Sequence, residues 1–243
     1  MPRWAMVIDK ERCVGCQSCT VACKSEWDVP NGNSRTKVRN AGVKGDYPNL
    51  ASTFFVTQCN HCDHPKCVPA CPSGATYQDP NGAVRVTKEL CIGCGSCVAA
   101  CPFGARYVSP VNDRVDKCDF CAPRLEKGMT PACVATCPAN AKMFGDLEDR
   151  NSAVFGMVFT GKARRIEGKQ TDFGTNVYYR GTPEHIEMAG MAFPPGESST
   201  IAPAWIWAKL AKKLVFVAVG ATFIGQAVAF FHQLREGESQ SEE

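Results

Sequence analysis

The sequence predicts an α+β protein with two similar halves, an irregular segment and one C-terminal transmembrane helix. Three observations support this fold class. The chain has 243 residues with 16 Cys, which all lie in four short runs within residues 13–137. A unit of strand, Cys loop, short helix and strand recurs along these runs. Such internal repetition indicates a fold built from copies of one unit. Finally, residues 214–231 form an uncharged, mostly apolar stretch.

The run between Cys91 and Pro102 has the spacing C-x2-C-x2-C-x3-C-P. This is the ligand spacing of bacterial ferredoxins, in which three thiolates of one loop bind one cluster and the fourth binds a different cluster. Small residues between the ligands let the loop wrap closely, and Gly93 and Gly95 allow backbone conformations that other residues resist. This run, motif III, therefore predicts iron–sulfur ligation.

Three further runs complete the set. Motif I has the same compact spacing, whereas motifs II and IV have four and eleven residues, respectively, before their third Cys. Together the four motifs predict two bacterial-ferredoxin-like dicluster halves over residues 1–146. The ligands are Cys13, Cys16, Cys19 and Cys23 in motif I; Cys59, Cys62, Cys67 and Cys71 in motif II; Cys91, Cys94, Cys97 and Cys101 in motif III; and Cys118, Cys121, Cys133 and Cys137 in motif IV.

Iron–sulfur clusters explain these cysteines better than disulfides or zinc do. Four Cys within eleven residues cannot readily pair without strain, and zinc ribbons join two separated C-x2-C pairs rather than one unbroken run. Sixteen ligands divide into four [4Fe–4S] clusters with none left over. The last Cys of each motif is expected to serve a partner motif, and the spacing leaves open whether partners are neighbours (I with II) or nested (I with IV, II with III).

Charge and motif content narrow the function further. The formal net charge of +3 counts every Cys as neutral. A [4Fe–4S] core with its thiolates carries about −2, so four clusters bring the protein to about −5, and the basic composition gives no support for nucleic-acid binding. No G-x-G-x-x-G, Walker or H-E-x-x-H motif occurs. The chain is therefore predicted to carry electrons without a catalytic site of its own.

Local patterns predict the elements around the motifs. Ala5–Ile8 and Thr53–Thr57 are short apolar or β-branched runs that predict strands. Residues 24–52 are polar and predict a surface loop. Residues 79–82 (Asp-Pro-Asn-Gly) predict a hairpin turn. Residues 104–108 predict another strand after motif III.

The last part of the chain is predicted to attach it to a membrane. Residues 147–200 lack Cys and predict an irregular, extended segment over the cluster domain or a partner. Residues 201–234 contain Trp and Lys residues followed by Leu214–Phe231, and these eighteen residues would rise about 27 Å as a helix, close to the thickness of a hydrocarbon core. A buried core helix is the alternative. Residues 235–243 form an acidic tail.

Several single residues also have two interpretations. His61 and His64 lie inside motif II, but this motif already has four Cys, so we expect loop residues that hydrogen-bond near sulfur. His232 could face a haem or quinone, although an interfacial side chain is the simpler expectation. Four basic residues flank the ligands, where positive charge raises a cluster's potential unless the side chain is solvated. They are Lys66, Arg106, Lys117 and Arg124.

Taken together, the compact and expanded motifs resemble the four-cluster electron-transfer subunits of molybdopterin oxidoreductases. This family includes the beta subunits of dimethyl sulfoxide, polysulfide or thiosulfate and tetrathionate reductases and of membrane-bound formate dehydrogenase. The resemblance covers roughly residues 4–150. A nitrate reductase beta subunit would carry Trp where this chain has Cys94. The C-terminal segment is similar to the anchor of the formate dehydrogenase beta subunit through Trp205, Trp207, Lys209, Lys213, Gly220, Thr222, Phe223 and His232.

The resemblance implies nested pairing and two kinds of partner. The I/IV half would face a molybdenum or tungsten catalytic subunit, and the II/III half would face an integral membrane subunit with haem b or a quinone site. The four implied ligand sets are Cys13/Cys16/Cys19/Cys137 (set A), Cys23/Cys118/Cys121/Cys133 (set B), Cys59/Cys62/Cys67/Cys101 (set C) and Cys71/Cys91/Cys94/Cys97 (set D).

The expected location is the cell membrane, with a single span in the lipid bilayer. Three Lys before the span and the acidic tail after it predict a cytoplasmic head by the positive-inside rule. Many family members instead have periplasmic heads, exported with a catalytic subunit that carries the signal. The first residues show no export signal. Following the family resemblance, we expect a periplasmic cluster domain exported together with its catalytic partner. A stand-alone polyferredoxin and a zinc-stabilised interaction module without redox activity are the alternatives.

Overall fold

The computed structural model describes residues 1–166 and 173–181, together with residues 222 and 225–227, which are helical; at positions 41, 44 and 51 only the backbone is described. All four motifs lie within one compact unit of the chain. Within the described ranges, no helix has the length and apolar character needed to cross a membrane. The predicted span over residues 214–231 lies almost wholly outside these ranges, as does His232, so both stay predictions.

Short strands are interspersed with short helices along the described chain, which confirms the mixed helix and strand content. In chain order they are β1 Trp4–Asp9, α1 Ser18–Glu26, β2 Thr36–Lys44, β3 Ala51–Gln58, β4 Thr76–Gln78, β5 Val84–Val86, α2 Ser96–Ala99, β6 Tyr107–Val108, β7 Val115–Asp116, α3 Ala122–Leu125, α4 Ala132–Ala135, β8 Lys142–Asp146, α5 Ala153–Phe159, β9 Ala163–Arg165 and β10 Val177–Arg180.

A four-stranded sheet in the order β8-β1-β10-β9 forms the largest sheet of the described chain. β1 pairs antiparallel with β8 and parallel with β10, with Met6 opposite Val177. Because side chains alternate across a sheet, Met6 and Ile8 pack with Cys-bearing loops on one face, while Ala5 and Val7 pack with Val154 of α5 on the other. The predicted strand over Ala5–Ile8 is confirmed.

The sheet corrects the prediction of an irregular segment over residues 147–200 within the part that the structure describes. In its described part, residues 147–166 and 173–181 supply α5, β9 and β10. β10 is a central strand, and the side chain of Tyr179 is fully buried. The absence of Cys and the Gly-rich and Pro-rich composition concealed these elements, because the segment is held by long-range strand pairing rather than by local propensity.

Three antiparallel hairpins complete the described topology: β2-β3, β4-β5 and β6-β7. The predicted strand at Thr53–Thr57 and the hairpin around residues 79–82 are confirmed by β3 and by β4-β5. The prediction of a surface loop throughout residues 24–52 is wrong, because residues 36–44 form β2, with an irregularity between Asn40 and Val43. The predicted strand at residues 104–108 shortens to β6.

Candidate iron–sulfur centres

The compact loops of motifs I and III share one backbone geometry. Gly15 and Gly93 have φ of 70° and 69° at equivalent positions, two residues after the first Cys. Gln17 and Gly95, just before α1 and α2, are both left-handed, with φ of 64° and 77°. A left-handed residue reverses the local direction of the chain. The same loop shape is therefore built twice, with Gln in one copy where the other has Gly.

Close packing explains why glycine stands at the first of these positions. A Cβ atom at Gly93 would clash with the backbone oxygen of Asp113, and one at Gly15 would clash with the ring of Phe54. Both glycines also have positive φ, which an L side chain disfavours. The loops can approach their neighbours this closely only without a side chain.

The expanded loops of motifs II and IV form a second matching pair. His61 and Phe120 occupy the same position between the first two Cys of their motifs, and both are left-handed, with φ of 45° and 59°. Their rings stack with centroids 3.5 Å apart and an interplanar angle of 15°. His61 is fully buried, and its Nδ1 accepts a hydrogen bond from the backbone N–H of Val84. The two halves therefore meet at equivalent loop residues.

The four thiols of set B line a single cavity. Cys23 comes from α1, Cys118 and Cys121 from the motif IV loop, and Cys133 from α4. Trp27 borders the same cavity and donates its indole N–H to Cys121 Sγ at 3.4 Å. Burial, with a smaller contribution from the adjacent Cys133 side chain, raises the pKa of the Cys23 thiol to about 12. Motifs I and IV are thus brought together around one space.

Neighbouring thiols identify two further groups. Burial raises the pKa of Cys13, and the Cys137 and Cys16 thiols beside it raise it further. Burial likewise raises the pKa of Cys62, with added effects from the other thiols of set C. These neighbours are Cys59, Cys101 and Cys67. Motif II and the last Cys of motif III therefore share one location.

The thiols of set D receive backbone hydrogen bonds. The N–H of Thr76 donates to Cys71 Sγ and the N–H of Val115 to Cys91 Sγ, both at 3.4 Å. Cys71, Cys91 and Cys97 pack in the same apolar cluster. Hydrogen bonds of this kind stabilise a thiolate over a thiol. The thiolate is the form that binds iron.

Exposure divides the cysteines in a regular way. Cys16 and Cys94, the second Cys of each compact motif, are the exposed thiols, and the other fourteen are buried or partly buried. Sets A and D therefore each reach the protein surface at one ligand. Sets B and C lie inside, where burial raises the pKa of Cys118 and the Cys59 thiol of the other half contributes to the rise.

The chemistry of the interior fits anionic clusters. Lys117, Lys142 and Arg106 are each at most 3% exposed, and none of them forms an ion pair with a carboxylate in the described part of the chain. An unpaired buried charge is strongly unfavourable. Clusters ligated by four thiolates each would supply the missing negative charge. Among described residues no group of His, Cys, Asp or Glu converges closely enough to hold a single metal ion.

Arg35 and Asp116 form a buried ion pair beside set B. Two guanidinium hydrogen bonds of 2.8 Å reach the Asp116 carboxylate, which Lys88 and Tyr107 also contact. Burial alone would raise the pKa of Asp116, but the contacts with Arg35 outweigh this and lower it to about 2. This pair fixes the residue just before β2 to β7, next to the motif IV loop.

The structure places the other sequence-predicted residues unequally. Arg106 contacts a cysteine sulfur, and Lys117 donates to the carbonyl oxygens of Val84 and Cys118. Arg124 instead pairs with Glu26 at 2.8 Å and has no described contact with a cysteine sulfur. Lys66 and His64 have no described contact with a cysteine thiol. Sequence reasoning missed Arg35 and Lys142, although Lys142 follows Cys137 by the same five residues that separate Arg106 from Cys101.

Family models match two stretches of the chain, which together contain all four motifs. A 4Fe-4S dicluster domain matches residues 50–147, and a 4Fe-4S binding domain matches residues 4–25. These matches cover motifs II to IV and motif I, respectively. They show that the chain binds [4Fe–4S] clusters.

Three curated relatives give the same result over longer stretches. A tetrathionate reductase subunit of Salmonella typhimurium is 40% identical over 74% of this chain and 72% of its own length. Protein NrfC of Escherichia coli is 44% identical over 63% of this chain and 69% of its own. The thiosulfate reductase electron transfer subunit PhsB of Salmonella typhi is 48% identical over 60% of this chain and 78% of its own. The chain belongs to the family of [4Fe–4S] electron-transfer beta subunits of molybdopterin oxidoreductase complexes.

Proposed function

We propose that this subunit holds four [4Fe–4S] clusters in sets A to D and relays electrons between a molybdopterin catalytic subunit and a membrane cytochrome b or quinone-binding subunit. When bound, the clusters supply one-electron redox chemistry. The protein supplies thiolates, excludes water from most of them and presents one ligand at each end. The observation that carries the proposal is the grouping of the thiols: two interior sets adjoin each other, and each outer set has one exposed Cys.

The nested pairing is supported by side chains that the sequence keeps far apart. Cys23 shares a cavity with three motif IV cysteines, Cys13 lies beside Cys137, and Cys62 lies beside Cys101. Pairing of neighbouring motifs I and II predicts none of these contacts. The order A, B, C, D then leads from the motif I loop through the His61–Phe120 contact to the motif III loop.

The two surface loops are suited to partner contacts. Val14 is 62% exposed beside Cys16, and Ile92 is 68% exposed beside Cys94. Exposed apolar side chains next to a redox centre favour a docking surface that excludes water. By the family resemblance, the Val14 surface would meet the catalytic subunit and the Ile92 surface the membrane subunit.

Metal and acid-labile sulfide per chain test the cluster content. We expect about 16 iron with matching sulfide in protein prepared without oxygen, and visible absorption that bleaches on reduction. About 4 zinc per chain without sulfide would instead identify the zinc-stabilised module and refute the proposal.

Charge substitutions at the two loops test which partner subunit each loop contacts. Val14→Glu is expected to release the catalytic subunit and to retain the membrane subunit, and Ile92→Glu is expected to do the reverse. Copurification measures both, and unchanged iron content shows that the loops stay intact. The assignment fails if the two variants lose the opposite partners or the same one.

Membrane attachment through residues 214–231 and a periplasmic cluster domain complete the proposal. Their support is the uncharged length of this stretch and the family resemblance. A variant that ends before residue 201 is expected to leave the membrane fraction when the membrane subunit is absent.

Protease added to intact spheroplasts is expected to digest the cluster domain, and protection would place that domain in the cytoplasm. Recovery of the intact chain in the aqueous phase of a detergent partition would favour the stand-alone polyferredoxin.

A further inference from the structure

Two buried cations occupy matching positions in the two halves. Motifs III and IV both continue from their last Cys as Cys-Pro-x-x-Ala, followed by Arg106 in one and Lys142 in the other. Arg106 is 2% exposed and Lys142 is 3% exposed. At the same position after motif II stands Thr76, which is neutral. Each half therefore contains one such cation.

Arg106 lies against the ligands of set C. Its Nη2–H donates to Cys67 Sγ at 2.9 Å, and its Nη1–H donates to Thr76 Oγ1 at 3.1 Å. The two hydrogen bonds hold the planar guanidinium in one orientation. A ligand sulfur therefore receives a charge-assisted hydrogen bond from a group that stays positive at all accessible pH values.

Lys142 lies in the corresponding place beside set B. Its Nζ donates to Gln58 Oε1 at 2.7 Å and contacts Cys133. Besides Cys133, the Cys19 and Cys118 side chains also lie within electrostatic range of the Lys142 ammonium group. Two of these three cysteines belong to set B and one to set A, so the ammonium group lies next to the interior set.

The charges of Arg106 and Lys142 are not neutralised by carboxylates. The buried Arg35 differs, because it is paired with Asp116 and lies 3.5 Å from Asp119. In the described part of the chain, Arg106 and Lys142 have only neutral oxygen acceptors and cysteine sulfurs as partners. Their positive charge is therefore directed at the ligand sets.

We propose that Arg106 and Lys142 raise the reduction potentials of the two interior clusters, in sets C and B respectively. This inference rests on the proposed cluster content. Reduction adds one electron, supplied by a redox partner or by dithionite, and makes a cluster with its thiolates one unit more negative without breaking a bond. A fixed cation stabilises the reduced form more than the oxidised form. The two interior clusters therefore accept electrons more readily than their ligand cysteines alone would permit.

Redox titration followed by electron paramagnetic resonance tests this in the purified holoprotein. Arg106→Gln keeps hydrogen-bond donors and removes the charge, and we expect the set C potential to fall by at least 59 mV, a tenfold change in a one-electron equilibrium. Arg106→Lys keeps the charge and is expected to shift it by less than half as much. Arg124→Gln removes a cation that pairs with Glu26 instead, and we expect all four potentials to stay unchanged.

Lys142→Gln repeats the test in the other half, where the set B potential is likewise expected to fall by at least 59 mV. It also serves if Arg106→Gln fails to retain iron. Unchanged potentials in a neutral variant with full iron content overturn the proposal, as does an equal shift in Arg106→Lys and Arg106→Gln. Iron and sulfide in the wild-type protein are measured separately, so a protein without clusters refutes the proposed function, whereas full clusters with unmoved potentials refute only this inference.

Discussion

The I/IV and II/III halves present similar cysteine loops on very different supports. In the I/IV half, motif I follows a strand of a four-stranded sheet and leads into α1, a helix of nine residues. In the II/III half, motif III leads into α2 of four residues, between two hairpins whose strands are two or three residues long. Ligand geometry is thus encoded within each loop, and the surrounding elements are free to differ.

The interior charges follow the same rule. Both halves place a cation five residues after the last Cys of a Cys-Pro step, but Lys142 is anchored by an amide and Arg106 by a hydroxyl and a cysteine sulfur. The position is shared, and the chemistry that anchors the cation is specific to each half. Differences between the halves should therefore appear in stability and potential more than in cluster content.

Replacing the last Cys of a motif should have the largest effect and would break the symmetry of the halves. With nested pairing, Cys137→Ser alters the set A cluster and Cys101→Ser alters the set C cluster, each with loss or conversion of one cluster out of four. Iron content and the electron paramagnetic resonance signals of the reduced protein measure this. If Cys137→Ser instead alters a motif III cluster, the nested pairing is wrong.

Asp116→Asn should be the next largest change, because it leaves Arg35 as a buried, incompletely paired charge. Breaking a buried pair costs about 3–5 kcal/mol, so we expect a clearly lower thermal midpoint. Glu26→Gln, which disrupts the more exposed pair with Arg124, is the matched control, with about 0–1 kcal/mol expected. Equal midpoints for the two variants would show that the buried pair does not stabilise the fold.

Glycine substitutions compare the two compact loops directly. Gly93→Ala meets a backbone oxygen that cannot move alone, whereas Gly15→Ala meets a phenyl ring that can rotate. We expect about 3 kcal/mol and about 2 kcal/mol of destabilisation, respectively, since each also adds strain at positive φ. Gly32→Ala, with positive φ and open space, isolates the strain alone at about 1 kcal/mol. A Gly15→Ala variant less stable than Gly93→Ala would contradict this order.

Trp27→Phe should have the smallest effect and sharpens the comparison of hydrogen bonds to sulfur. It removes the neutral indole donor to Cys121 in the I/IV half, whereas Arg106 supplies a charged donor to Cys67 in the II/III half. We expect the set B potential to fall by less than the tenfold equivalent expected for Arg106→Gln. A larger shift in Trp27→Phe than in Arg106→Gln would show that charge does not govern these potentials.

Local spacing and long-range packing explain what the sequence could predict. The first strand and the hairpin around residues 79–82 follow from patterns within a few residues, and their prediction is confirmed. The spacing of the cysteines is likewise local and predicts [4Fe–4S] binding, which the family models show. β10 was missed because its pairing with β1 joins distant residues, and β2 because Asn and Gly within it resemble loop signals. Lys142 and Arg35 were missed because the burial of a cation depends on what packs over it.

The parallel pairing of β1 with β10 has a consequence for the order in which the molecule folds. Arg180 reaches back to Asp9 across 171 positions of the chain, so the sheet beneath motif I cannot close until residues 177–180 are available. The two hairpins of the II/III half, β4-β5 and β6-β7, instead pair strands that are close in sequence. Since local contacts form sooner than distant ones, the middle of the chain gains its structure first and its ends are joined last. Pulsed hydrogen exchange during refolding should protect β4 and β5 before β1, and simultaneous protection would show that the two halves fold as one unit.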